Sequence, residues 1–153
     1  LWGQKQESTA TWHGMFLSNG KPTEAVDVMQ YCWMGEWPAS RAPSITDIHL
    51  NAKNWQKEHR VAPSTNVTLS LDYEKNNNKN LEFSYLLFPE AFSSKIGGDR
   101  QETPEKISLE IIEKSKSGII FKTPKIKGAY RIFAYIKNFR GQCSVANIPF
   151  LVE

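Results

Sequence analysis

Hydrophobic residues in this chain follow two periods, and the change from one to the other divides it. Between positions 23 and 34, Val26, Met29, Gln30 and Trp33 recur at helical spacing, with Ala25, Val28 and Cys32 on a neighbouring stripe. Thr23, between Pro22 and Glu24, is the expected N-cap, and Gly35 the expected stop. Such a helix is apolar over more than half its girth, which predicts packing on two sides. Ahead of it, the alternation in Thr11-Trp12-His13-Gly14-Met15-Phe16-Leu17 and the polar Ser18-Asn19-Gly20-Lys21 predict a short strand and a turn. Beyond it the period falls to two. Val67, Leu69, Leu71 and Tyr73 alternate with Thr68, Ser70, Asp72 and Glu74, as in a strand with one wet face. Comparable runs at 45–52, 81–88, 107–112, 119–122, 129–137 and 142–152 predict further strands. Polar tips at 74–80, 97–99 and 138–141 separate them. Short strands with no βα alternation predict a mainly β fold, an immunoglobulin-like or fibronectin-like antiparallel sandwich preceded by a short helical segment.

Composition sharpens the division. Trp2, Trp12, Trp33 and Trp37 fall in the first 37 residues, and only Trp55 follows. Pro38 and Pro43 keep the stretch 37–43 from being helical and predict an extended linker. The expected organisation is a first segment 1–37, a Pro-rich linker 38–43 and a sandwich 44–153. A chain that begins Leu1-Trp2-Gly3-Gln4 is expected to have been cut from a longer precursor. The 153 residues carry 19 Lys plus Arg against 16 Asp plus Glu, a net charge of +3 scattered along the chain. Neither a nucleic-acid nor a membrane partner is expected on that pattern.

Chemistry is sparse. His13, His49 and His59 are not at ligand spacing, and Cys32 and Cys143 lie in different segments, so neither a metal nor a disulfide framework is expected. No nucleotide, dinucleotide or hydrolase-elbow motif occurs, and no cofactor is expected. Paired carboxylates, Asp99 with Glu102 or Asp47 with Asp72, read as solvated faces. Asn66-Val67-Thr68 matches a glycosylation sequon, although its place in a strand gives it a structural reading too. The aromatics carry more information, because an indole or phenol ring offers a flat face on which a sugar ring stacks. Trp55, Tyr73, Tyr85 and Tyr135 are the candidate carbohydrate platform on the sandwich.

Four stretches then carry a family resemblance: 1–7, Thr11-Trp12-His13-Gly14-Met15-Phe16, 23–31, and Gly35-Glu36-Trp37-Pro38-Ala39-Ser40-Arg41-Ala42-Pro43. Together they resemble the end of a (β/α)8 glycoside hydrolase of the clan A, family 2-like type, where the chain leaves the barrel for a C-terminal sandwich. Weaker likeness continues through Gly97-Gly98-Asp99, Phe121-Lys122-Thr123-Pro124, 128–133 and 146–150. The resemblance implies that Leu1-Trp2 ends the eighth barrel strand and that the helix is the eighth barrel helix. Trp2 would then lie at the floor of a sugar site, with Gln4, Gln6, Glu7 and Trp12 beside it as substrate-binding residues. Both carboxylates of the family's reaction would lie upstream of Leu1, so this chain alone is expected to be noncatalytic. Related sandwiches often carry an acidic calcium-binding turn, whereas the tip Glu74-Lys75-Asn76-Asn77-Asn78-Lys79-Asn80 has one carboxylate and two lysines, which argues against calcium.

The resemblance makes the upstream barrel of the same parent chain the expected partner. It implies a secreted, periplasmic or cell-surface location and a substrate with O-glycosidic bonds. Two alternatives stand beside it: a sandwich that itself grips polysaccharide or oligosaccharide, and an adhesion or scaffold module with no sugar contact.

Overall fold

The computed structural model describes residues 14–17, 19–90 and 104–153. Helix α1 (Glu24–Met34) comes first, followed by β1 (Ser44–Leu50), β2 (Lys53–Asn54), β3 (Arg60–Val61), β4 (Asn66–Glu74), β5 (Leu81–Pro89), β6 (Ile111–Lys114), β7 (Gly118–Lys122), β8 (Gly128–Asn138) and β9 (Cys143–Val152). One sheet has the order β2-β1-β4-β7-β6 and the other β3-β9-β8-β5. The protein is a mainly β sandwich with one short helix.

Alternation places the core. Val67, Leu69 and Leu71 on β4 face Ile132, Ala134 and Ile136 on β8 and Ile148, Phe150 and Val152 on β9, in a single buried cluster. Aromatic edges fill its width: Phe121 meets Phe150 at 6.1 Å between centroids, and Tyr130 stacks on Phe150 at 5.8 Å. Ile45 and Ile48 are three positions apart yet both reach the core, because β1 slips register against β4 between Ile45 and Asp47. Gly118 is required by proximity: a Cβ there would stand 2.0 Å from the Leu69 carbonyl oxygen.

Three expectations are corrected. The run predicted at 107–112 pairs as a strand only over Ile111–Lys114, while Ile107 makes an isolated bridge to Leu87. The two-residue strands β2 and β3 had no periodic signal, and β3 runs parallel to β9, so the second sheet is not wholly antiparallel. Thr23 stands at the N-cap position without capping: its hydroxyl donates to the Gly14 and Met15 carbonyls, both at 3.0 Å. Of the segment predicted ahead of the helix, Phe16 bridges Pro22 across the turn at Gly20 (φ +79°). Gly35 ends the helix as expected, at φ +73°, with its N–H on the Tyr31 carbonyl.

Candidate functional site

Among the described residues, helix α1 is fastened to the sandwich through its first turn. Glu24 accepts from the buried Ser144 hydroxyl (2.8 Å), and the same Ser144 oxygen accepts from the Ile45 N–H (3.0 Å), so one side chain joins helix, β1 and β9. Pro22 accepts from the Cys143 N–H at 3.1 Å. Asp27, the one buried residue of the helix, accepts from the Ala42 N–H at 2.6 Å. Burial raises the Asp27 pKa from its ordinary value, against the opposing pull of the Ala42 N–H and the Arg41 charge. The last two turns are open: Val28, Tyr31, Trp33 and Met34 are exposed, Trp33 at 76%. Of the two-sided packing predicted from the girth of the apolar stripe, the described residues show the seat on the sandwich.

The 37–43 segment continues this surface. Trp37 stacks on Tyr31 at 4.4 Å between centroids and 16°, and the Arg41 guanidinium lies 3.7 Å over the Trp37 ring. Side chains from two loop tips hold the segment down. Asn76 donates to the Ala42 carbonyl (2.8 Å) and Asn78 to the Arg41 carbonyl (3.0 Å). Gln142 donates from Nε2 to the Ser40 carbonyl and accepts the Ser40 hydroxyl, both at 3.0 Å. Asn138, 5% exposed, donates to Asn78 (3.0 Å) and Gln142 (2.8 Å) and accepts from the Arg140 and Gln142 N–H groups. The Asn-rich tip thus has a structural duty: Asn76 (φ 47°) and Asn77 (φ 65°) supply left-handed backbone, and Asn76 and Asn78 clamp the linker. Sequence reading missed this clamp, since its partners lie up to 102 residues apart.

Trp2, Gln4, Gln6, Glu7 and Trp12 lie outside the described residues. The four-residue platform on the sandwich does not share a face. Tyr85, 8% exposed, is a core residue whose hydroxyl has no hydrogen-bond partner; burial and the nearby Tyr73 push its pKa up to about 12. It offers no ring to a ligand and is removed from the platform. Tyr73 faces inward from the other sheet and meets Phe83 edge-on at 5.3 Å. Tyr135 is half-buried on the outer face of β8, where burial raises its pKa. Trp55 alone is open, at 58% exposure.

Trp55 stands in the loop between β2 and β3, and that loop is tied at both ends. The Lys57 N–H and the His59 Nε2–H both donate to the Asn54 carbonyl, at 3.1 and 3.0 Å. His59 is buried, which lowers its pKa despite the Asn54 bond, and Lys53 adds to the fall. Arg60 binds Glu58 and clamps Glu153 at 2.8 Å, fixing the exit of the loop.

The remaining titratable groups among the described residues are dispersed. Asp47 and Asp72 are register partners across β1 and β4, and their carboxylates stand 3.3 and 3.8 Å from opposite ring nitrogens of His49. Among the described residues no group of three or more His, Cys, Asp or Glu could hold a metal ion. Cys32 is exposed and Cys143 buried, with the Cys143 thiol pushed up to about 11 by burial. Among the described residues no helix is long and apolar enough to cross a membrane.

No known protein family and no curated protein matches the chain. Among solved structures the chain is similar to PcoC, a methionine-rich copper resistance protein from Escherichia coli, at 12% identity and a TM-score of 0.40, over 72% of this chain and 98% of that one. It is also similar to a conjugative transposon lipoprotein from Bacteroides eggerthii, at 8% identity and a TM-score of 0.38, over the same shares. Likeness at that level carries no functional argument.

Proposed function

We propose that this chain is the noncatalytic C-terminal accessory domain of a secreted glycoside hydrolase acting on O-glycosidic bonds, and that α1 and the 37–43 segment buttress its barrel. One observation carries the proposal: the last two turns of the helix and the strap after it leave aromatic and aliphatic side chains bare, while hydrogen bonds of Glu24 and Asp27 hold the first turn in place. Trp, Tyr, Met and Arg are the residues enriched at the centres of protein interfaces, and Tyr31, Trp33, Met34, Trp37 and Arg41 supply that mixture here. An apolar surface held rigidly in water gains free energy when a partner covers it. The test is to produce the chain fused to the region encoded immediately upstream. Barrel docking predicts that iodide quenching of Trp33 and Trp37 drops and that amides 28–37 gain hydrogen-exchange protection. An upstream region without a barrel, or unchanged quenching and exchange, overturns it.

The exposure of Trp55 favours a second reading, in which the sandwich binds polysaccharide. Retardation of the chain in gels containing a polysaccharide, abolished in Trp55→Ala, supports that reading. Equal mobility with and without the polysaccharide rejects it.

A further inference from the structure

The tip of the β8–β9 hairpin is joined by direct contacts to the helix entry and to the strap. On one flank Gly141 lies against Lys21, which leads into the helix: a Cβ at Gly141 would stand 3.2 Å from the Lys21 Cγ. On the other flank the tip holds the strap, through Gln142 on Ser40 and Asn138 on the Arg41 carbonyl (3.4 Å). Arg41 in turn lays its guanidinium over Trp37, so a continuous line of contacts runs from the tip to the Tyr31–Trp37 stack. Phe139 stands at the head of this tip and is 77% exposed. The backbone beneath it is braced: Asn138 accepts from the Arg140 and Gln142 N–H groups, and the Gly141 N–H closes the turn on the Asn138 carbonyl at 2.9 Å. Arg140 lies over the Phe139 ring at 5.2 Å, a looser version of what Arg41 does for Trp37. Neither guanidinium is in an ion pair among the described residues. Aromatic rings and arginines are the anchors of protein interfaces, and a ring carried on a braced turn loses little freedom when it is covered.

We infer that Phe139 is a second anchor of the docking surface, its ring received in an apolar pocket of the same barrel that covers Trp33 and Trp37. The occupant follows from continuity: the tip is hydrogen-bonded to the strap, so a body that closes over Trp37 and Arg41 meets the tip as well. This role rests on the buttress reading above and extends its surface to a turn that sequence marks only as a polar connection.

Hydrogen exchange in the protein that includes the region encoded immediately upstream tests it. Amides 139–141 should exchange about tenfold or more slowly there than in the chain alone, in step with amides 28–37. Phe139→Ser should abolish the gain at 139–141 and reduce it at 28–37, whereas Phe139→Leu, which keeps an apolar side chain, should retain most of both. In the chain alone Phe139→Ser should leave the melting midpoint unchanged, since the ring is exposed, which shows that the variant folds. A gain at 28–37 with none at 139–141, or gains at both that ignore Phe139→Ser, overturns the role of Phe139 and leaves the buttress reading standing. No gain at either segment overturns the reading and the anchor together. Sedimentation of the chain alone checks the occupant: a dimer that Phe139→Ser dissociates assigns the tip to a second copy and overturns the barrel as its partner.

Discussion

Asn138 is the knot between the β8–β9 hairpin and the strap that carries the helix, and two substitutions there should separate the two duties. Its oxygen accepts from the Arg140 and Gln142 N–H groups, both at 3.0 Å, which shapes the hairpin. Its nitrogen donates to Asn78 at 3.0 Å and Gln142 at 2.8 Å, which links the hairpin to the two residues holding the Ser40 and Arg41 carbonyls. Asn138→Ala removes both sets. At about 1 kcal/mol net per hydrogen bond, and allowing for the exposed Arg140 N–H to find water, the loss comes to roughly 3 kcal/mol. Asn138→Asp keeps the acceptors and removes the donors, turning oxygen toward the oxygens of Asn78 and Gln142. Those amides can flip to meet it only by giving up Arg41 and Ser40. The expected cost is about 1–2 kcal/mol, with the hairpin intact and the strap loosened. Urea denaturation gives the stabilities, and hydrogen exchange at amides 40–42 reads the strap directly. If Asn138→Asp leaves those amides as protected as in the parent protein, or if Asn138→Ala costs less than 1 kcal/mol, the knot does not hold the strap.

Other consequences are sharper in direction than in size. Tyr85→Phe deletes a buried hydroxyl with no partner, so stability should rise by about 1 kcal/mol in urea denaturation. Gly118→Ala drives a methyl against the Leu69 carbonyl oxygen and should cost about 3 kcal/mol, lowering the melting midpoint by several degrees. The Asp27 pKa is raised above 3.8 in the folded protein, so the folded state holds its proton more tightly than the unfolded one. The stability this contributes is full below pH 3.8 and is lost as pH rises through the folded value. Parent and Asp27→Asn stabilities, measured from pH 3 to 7, should therefore shift in favour of Asn as pH rises; a shift the other way contradicts the burial argument. With Ellman's reagent, Cys32 should react at once and Cys143 only on unfolding.

What sequence could say about this molecule depended on distance along the chain. The period of two in Val67, Leu69 and Leu71 placed β4 and its inner face, and the same parity assigns Tyr73 and Tyr85 inward, a signal that the search for sugar-stacking rings overrode. Gly35 stopped the helix for a local reason and was read correctly. β2 and β3 have two residues each, too few for any period, and β3 exists because β9 offers it an edge. Thr23 had the right residue type for a cap, but Gly14 and Met15 offered its hydroxyl other partners. The clamp on the linker was beyond reach altogether, since Asn76, Asn78 and Asn138 look like ordinary turn residues until the fold sets them beside Arg41 and Ala42.

The seat of α1 also sets an order of events. Ser144, which engages Glu24 from 120 residues away, and Cys143, which engages Pro22, both belong to the final strand. During synthesis the helix can form early, but its seat on the sandwich is complete only after almost all of the sandwich has emerged and closed. Through that interval its indole remains available to any sticky neighbour, so the growing chain is open to misassembly at this helix until its last strand is made.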